Sequence, residues 1–93
     1  MIITGGENVM PIEIESVLSL HSEVKEVVVV GKPDERLGQQ IVAFIVSQTK
    51  LSFEDLNEHC RGHGLPGYRS PRSYQFVNEI PKSPVGKALR RQL

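Results

Sequence analysis

The stretch Pro81-Lys82-Ser83-Pro84-Val85-Gly86-Lys87 sets a lysine behind a glycine on a proline-punctuated loop. The residues from Gly86 to Leu93 then place Leu89 and Leu93 on one helical face and turn Arg90 and Arg91 away from it. An ammonium on a flexible stem at such a tip serves as a point charge, for a phosphate or for negative charge that develops in a transition state. The stretch is not a P-loop, because Pro81 stands where the first glycine is needed and Ala88 where a Ser or Thr would hold magnesium. Solvation is the ordinary fate of a single surface lysine, so Lys87 needs context before it carries a role.

Other chemistry-bearing residues are sparser. Gly5-Gly6-Glu7-Asn8 offers bare backbone that a ligand can approach closely, and it reads equally well as a plain turn. Tyr68-Arg69-Ser70-Pro71-Arg72 is a basic loop with one aromatic, suited to stacking on or pairing with a phosphorylated ligand. His59 and His63 have the i, i+4 spacing of metal ligands, but Gly62 and Gly64 interrupt the helix that would align them, and no metal site is expected. Cys60 falls on the apolar face of the same segment, where packing is the simpler role than nucleophilic catalysis. No pair of carboxylates is spaced for general acid–base work.

The elements that must position these groups fit one domain spanning 1–93. The chain has 93 residues, 39% of them apolar and 24% charged, enough for one core and too few for two. No apolar run approaches the roughly 18 residues of a membrane span, and the start has neither the basic nor the apolar region of a signal peptide. With a single cysteine, no internal disulfide is possible, which together point to a cytoplasmic setting. The formal charge is zero, but it is unevenly spread. Residues 1–68 hold five basic and ten acidic residues, whereas residues 69–93 hold six basic residues against Glu79 alone. A basic last quarter attracts phosphates of any kind.

Met1 to Thr4 reads as a short strand ended by Gly5-Gly6. Pro11 suits a helix start, and Ile14, Val17, Leu18 and His21 share a face, so a helix is predicted over Pro11–Leu20. The β-branched run Val24–Val30 predicts a buried strand that stops at the turn residues Gly31-Lys32-Pro33-Asp34. Ile41 to Val46 is apolar on both faces, as a central strand requires, and should pair with the preceding strand as a hairpin. Ser52-Phe53-Glu54-Asp55 has the form of a capping box opening a second helix, and Tyr74–Val77 alternates as a last strand before the third helix at the C-terminus. The order β, α, β, β, α, β, α predicts an α+β fold: a small, largely antiparallel three-stranded sheet flanked by helices, with a short N-terminal strand and loop.

Taken in order, Ile2-Ile3-Thr4-Gly5-Gly6-Glu7-Asn8-Val9, Pro11-Ile12-Glu13-Ile14-Glu15, Val29-Val30-Gly31-Lys32-Pro33-Asp34-Glu35, Gly38-Gln39, Tyr68-Arg69-Ser70-Pro71-Arg72 and Pro81-x4-Gly86-Lys87 resemble the C-terminal domain of AMP-forming acyl-CoA synthetases. This superfamily also contains adenylation domains and firefly luciferase. The resemblance covers essentially the whole chain. It implies a two-step ligase in which a carboxylate attacks ATP to give acyl-AMP and pyrophosphate, and a thiol, often that of coenzyme A, then takes the acyl group. A large N-terminal domain holds the acid and most contacts to Mg-ATP, and the small C-terminal domain rotates between the steps.

For this chain the resemblance implies that Lys87 is the adenylation lysine. Gly5, Gly6 and Glu7 would line the pantetheine tunnel, and Tyr68, Arg69 and Arg72 would meet the nucleotide end of CoA. Lys87 and the Gly5-Gly6 loop then lie on opposite functional faces. The hinge and the N-terminal domain are expected to lie outside these 93 residues, so that this chain alone turns over no substrate. Leu37 stands where many acyl- and aryl-CoA ligases have a tryptophan that stacks on adenine, which opens a second expectation, an adenylation domain that loads a carrier-protein thiol. A third function class, a free-standing module for RNA or another polyanion, fits the basic tail but lacks the paired aromatics of an RNA-binding sheet, and no nucleic-acid partner is expected.

Overall fold

The computed structural model describes residues 2–65 and 69–80, so Tyr68, Lys87 and the predicted helix over Gly86–Leu93 lie outside the described residues. Among the described residues seven elements follow one another: β1 (Ile2–Thr4), β2 (Glu7–Val9), α1 (Pro11–Ser19), β3 (Val24–Asp34), β4 (Gly38–Ser47), α2 (Phe53–Gly62) and β5 (Ser73–Phe76). The α+β class is as expected, with β1 and β2 forming a two-stranded ribbon beside a three-stranded sheet of order β3-β4-β5.

The long hairpin β3–β4 is antiparallel, with Val28 opposite Phe44 and Val30 opposite Val42. It is longer than the sequence suggests. Gly31-Lys32-Pro33-Asp34 is not the turn but the continuation of β3, paired with Gly38 to Ile41, and the chain reverses at residues 35–37. Pro33 is tolerated because β3 is an edge strand of this sheet. The other pairing departs from the antiparallel expectation. β4 and β5 run parallel, Val42 opposite Ser73 and Ile45 opposite Phe76, making the sheet mixed. Parallel neighbours need a crossover, and α2 supplies it between β4 and β5.

Both helices cover one face of the sheet. Ile14 and Leu18 of α1, Leu56 and Cys60 of α2, and Val29, Ile41, Ala43 and Ile45 of the sheet form the main core with Ile2 and Val9 of the ribbon. Val28, Val30 and Val42 on the opposite face join Ile80 in a smaller cluster. β4 thus contributes to both clusters, as the apolar run Ile41–Val46 requires. Pro11 opens α1 at its first turn, and Ser52 and Asp55 form the capping box of α2, with Asp55 N–H donating to Ser52 Oγ at 3.1 Å and Ser52 N–H donating to Asp55 Oδ2 at 3.2 Å. Side chains then lock the layers: the Glu15 carboxylate accepts from Val29 N–H at 2.8 Å on the outer edge of β3, and His59 Nε2–H donates to the Val17 carbonyl at 2.7 Å, joining α2 to α1.

Because Leu18 is 0% exposed within this core, Leu18→Ala should destabilise the fold by about 2–5 kcal/mol in urea denaturation. Ile12 on the same helix is 65% exposed, and Ile12→Ala should stay within about 0.5 kcal/mol of the parent.

Candidate functional site

The sequence reading takes Gly5-Gly6 as the end of a strand. The structure makes these residues the two-residue turn of the β1–β2 ribbon, where Thr4 pairs with Glu7. Both have positive φ, +56° and +84°, the pattern of a type I′ turn, whose twist suits a tight hairpin and which glycine adopts without steric cost. Glu7-Asn8-Val9 consequently returns as a second strand that the sequence reading missed. The Gly5 N–H donates to the Leu37 carbonyl at 2.9 Å, bringing the tip of the ribbon against the turn of the β3–β4 hairpin.

That turn is held by one carboxylate. Asp34 Oδ1 accepts from Leu37 N–H at 2.8 Å and from Arg36 N–H at 2.9 Å. The Leu37 N–H is the main reason that the Asp34 carboxyl lies below its ordinary value. Partial desolvation works in the opposite direction, and the Arg36 N–H together with the charges of Arg72 and Arg36 add to the lowering.

The ribbon tip, the hairpin turn and the chain leading into β5 enclose a cleft of about 140 Å³ lined by Thr4, Gly5, Glu7, Leu37, Ile41, Ser70 and Arg72. Arg72 is placed there by its own backbone, since its N–H donates to the Ile41 carbonyl at 2.8 Å. Neither Glu7 nor Arg72 has a side-chain hydrogen bond or ion pair among the described residues. The cleft therefore sets an available carboxylate and an available guanidinium beside the apolar Leu37 and Ile41 and the largely buried Thr4 and Ser70. It is fit for a slender, partly apolar chain that carries hydrogen-bonding groups and an anion.

Of the residues singled out in the sequence, Gly5, Glu7 and Arg72 come together here, and Gly6 is the neighbouring tip of the turn. Arg69 does not line the cleft. Its Nη1 donates to Glu13 Oε2 at 3.3 Å, joining the 69–72 segment to the first turn of α1. Tyr68 and Lys87 lie outside the described residues. Thr4, Ile41 and Ser70 were missed as cleft residues. Thr4 and Ser70 carried a signal, since each sits inside a motif that drew attention for its neighbours, whereas Ile41 reads only as core.

The remaining candidates behave as packing. Cys60 is buried, with its thiol pushed up by burial and its Sγ 3.7 Å from the Tyr74 hydroxyl, which is itself raised by burial and by Cys60. Such a thiol is a poor nucleophile. The His59 and His63 rings lie 4.3 Å apart, and each is engaged with a backbone carbonyl, Val17 and His59 respectively. No group of three or more metal-ligating side chains occurs among the described residues, and no helix among them is long and apolar enough to cross a membrane.

Residues 13–87 match the family described as the AMP-binding enzyme C-terminal domain, and the chain belongs to that family. It is 48% identical over 95 residues to a 4-chlorobenzoate–CoA ligase of Pseudomonas sp. (strain CBS-3), covering 100% of this chain and 18% of that protein. It is 44% identical over 94 residues to the fatty acid–[acyl-carrier-protein] ligase ScoC of Streptomyces coeruleorubidus, covering 99% of this chain and 18% of that protein. Among solved structures it is similar to the o-succinylbenzoate CoA synthetase of Bacillus subtilis in complex with an acyl-adenylate intermediate, with 35% identity and a TM-score of 0.92 over 98% of this chain and 19% of that one. The chain thus spans about a fifth of the length of these relatives. It is a domain of the kind found in CoA ligases.

Two expectations follow from the cleft. Gly6→Ala should cost about 1–2 kcal/mol of stability although a Cβ there meets nothing within 4 Å, because the penalty is the positive φ alone, and Gly6→Asn should cost less. Asp34, whose carboxyl is lowered in the fold, contributes stability above its ordinary value of 3.8 and loses that contribution as pH falls through the lowered value. Asp34→Ala should therefore lower Tm at pH 7, and the gap to the parent should close in melts run progressively below about pH 3.8.

Proposed function

We propose that the chain is the mobile C-terminal domain of an ATP-dependent, AMP-forming acid–thiol ligase, an acyl- or aryl-CoA synthetase. It works with a large N-terminal catalytic domain that binds Mg-ATP and a small carboxylic acid. The observation that carries the reading is the cleft of about 140 Å³, which a glycine turn, Glu7 and Arg72 line together with Leu37 and Ile41, a lining compatible with a pantetheine arm. Family membership supplies the chemical setting.

In the first half-reaction a carboxylate oxygen bonds to the α-phosphorus of ATP as the bond to pyrophosphate breaks. Lys87 brings its ammonium to that point and offsets the negative charge gathering there, an interaction stronger in the transition state than before it. In the second half-reaction a thiol loses its proton, its sulfur bonds to the acyl carbon, and AMP leaves with the electrons of the broken C–O bond. Gly5, Gly6 and Glu7 form the wall along which the thiol arm runs. Arg72 meets the phosphate end of the thiol compound, whereas Arg69, paired with Glu13, is not part of that contact. The two roles fall in different half-reactions, so the domain turns between the steps.

A second reading concerns the thiol. Leu37 at the cleft wall offers an aliphatic surface that stacks poorly on adenine, and the similarity to a fatty acid–[acyl-carrier-protein] ligase favours a phosphopantetheinylated carrier as acceptor in place of CoA. The full-length protein tests both points. Lys87→Ala should slow acyl-AMP formation by at least about a hundredfold while leaving thioester formation from supplied acyl-AMP near the parental rate. A parental adenylation rate would remove Lys87 from its role. In the same assay, saturation by CoA at micromolar levels counts against the carrier protein.

A further inference from the structure

The β1–β2 ribbon is two strands of three residues each, a size that does not hold its shape in water by itself. It nevertheless carries Thr4, Gly5 and Glu7 into the cleft. Ile2 and Val9 anchor one face in the core, 3% and 1% exposed, and fix its height above the sheet. Its position along the β3–β4 hairpin depends on the free edge of β1.

On that edge the N–H groups of Ile3 and Gly5 point the same way, as alternate residues of a strand do. A neighbouring strand would satisfy them with backbone carbonyls spaced along its length. Here Gly5 N–H takes the Leu37 carbonyl at 2.9 Å, and Ile3 N–H takes Gln39 Oε1 at 2.8 Å, a side-chain oxygen in place of a strand carbonyl. The acceptor identifies the orientation of the amide, since only its oxygen can receive an N–H. A second, independent feature holds the same amide. Gly31 leaves a slot beside it: a Cβ built on Gly31 would come within 2.7 Å of Gln39 Nε2 and 3.1 Å of Ile2 Cγ2. The missing side chain at position 31 is the space that the Gln39 amide and Ile2 occupy.

We propose that Gln39 is the positioning residue of the cleft, its side-chain amide acting as a surrogate strand that sets the Gly5-Gly6-Glu7 wall at its distance from Leu37 and Arg72. The role of this wall in the thiol half-reaction rests on the function proposed above. Gln39 itself is not among the residues lining the cleft, so its influence on the thiol passes through the ribbon.

The test uses the full-length protein with Gln39→Met, of similar length without a comparable acceptor, Gln39→Glu, which keeps an acceptor oxygen, and Arg72→Ala as a probe of the cleft. Amide hydrogen exchange over residues 2–9 is measured beside the two half-reactions. Gln39→Met should speed exchange at Ile3 and raise KM for the thiol about fivefold, the worth of one neutral hydrogen bond, with the adenylation rate unchanged. Gln39→Glu should restore both values. Parental exchange at Ile3 in Gln39→Met, or a Gln39→Glu variant as impaired as Gln39→Met, overturns the proposal. So does an equal fall in both half-reactions, which would mark general destabilisation. A thiol KM unchanged in Gln39→Met but raised in Arg72→Ala overturns the positioning role alone. A KM unchanged in both overturns the reading of the cleft and the positioning role with it.

Discussion

Ile41 ties the core to the cleft, and the rest of the structure depends on that link. Its side chain is 0% exposed at the centre of the main cluster and also lines the cleft. Its carbonyl accepts the Arg72 N–H that starts the path into β5. One residue of the central strand therefore sets the floor of the cleft, the place of its arginine and part of the packing that supports both. A displacement of β4 by one residue would turn Ile41 away from the helices and carry Arg72 out of register with the ribbon, because side chains alternate between faces.

The cleft wall is assembled from backbone and polar side chains rather than from bulk. A carboxylate at Asp34 shapes the turn that presents Leu37, the Leu37 carbonyl holds Gly5, and two positive-φ glycines reverse the ribbon at the edge of the cleft. The anchors are hydrogen-bonded within the fold, while Glu7 and Arg72 make no side-chain hydrogen bond or ion pair among the described residues. A site that must receive a ligand benefits from this division, since groups already satisfied within the protein would have to give up partners on binding. Arg69 illustrates the opposite case, with its guanidinium committed to Glu13 on the surface of α1.

Much of the frame was legible residue by residue. Pro11, the capping box of Ser52 and Asp55, and the two-faced apolar run of β4 each encode a local preference, and each element appears where that preference places it. The misreadings fall where a partner elsewhere in the chain overrides local chemistry. Gly31-Lys32-Pro33-Asp34 has the composition of a turn, yet pairing with Gly38 to Ile41 extends it as strand, and Asp34 takes the turn-forming role three residues later than its neighbours suggest. β5 departs from the largely antiparallel expectation for the same reason: Ser73–Phe76 alternates whichever way it runs, and the crossover through α2 decides that it lies parallel to β4.

For the candidate site, the one-dimensional order of glycines, arginines and the Gly86-Lys87 pair identified the family and named Gly5, Glu7 and Arg72, because residue types record chemistry directly. Only the tertiary structure decided that these three share a cleft, that Arg69 turns to Glu13, and that Thr4, Ile41 and Ser70 complete the lining. The physical reason is that local sequence specifies turns, caps and faces, whereas proximity across some seventy positions is set by strand register and by hydrogen bonds such as Ile3 to Gln39 and Arg72 to Ile41, which no single segment contains.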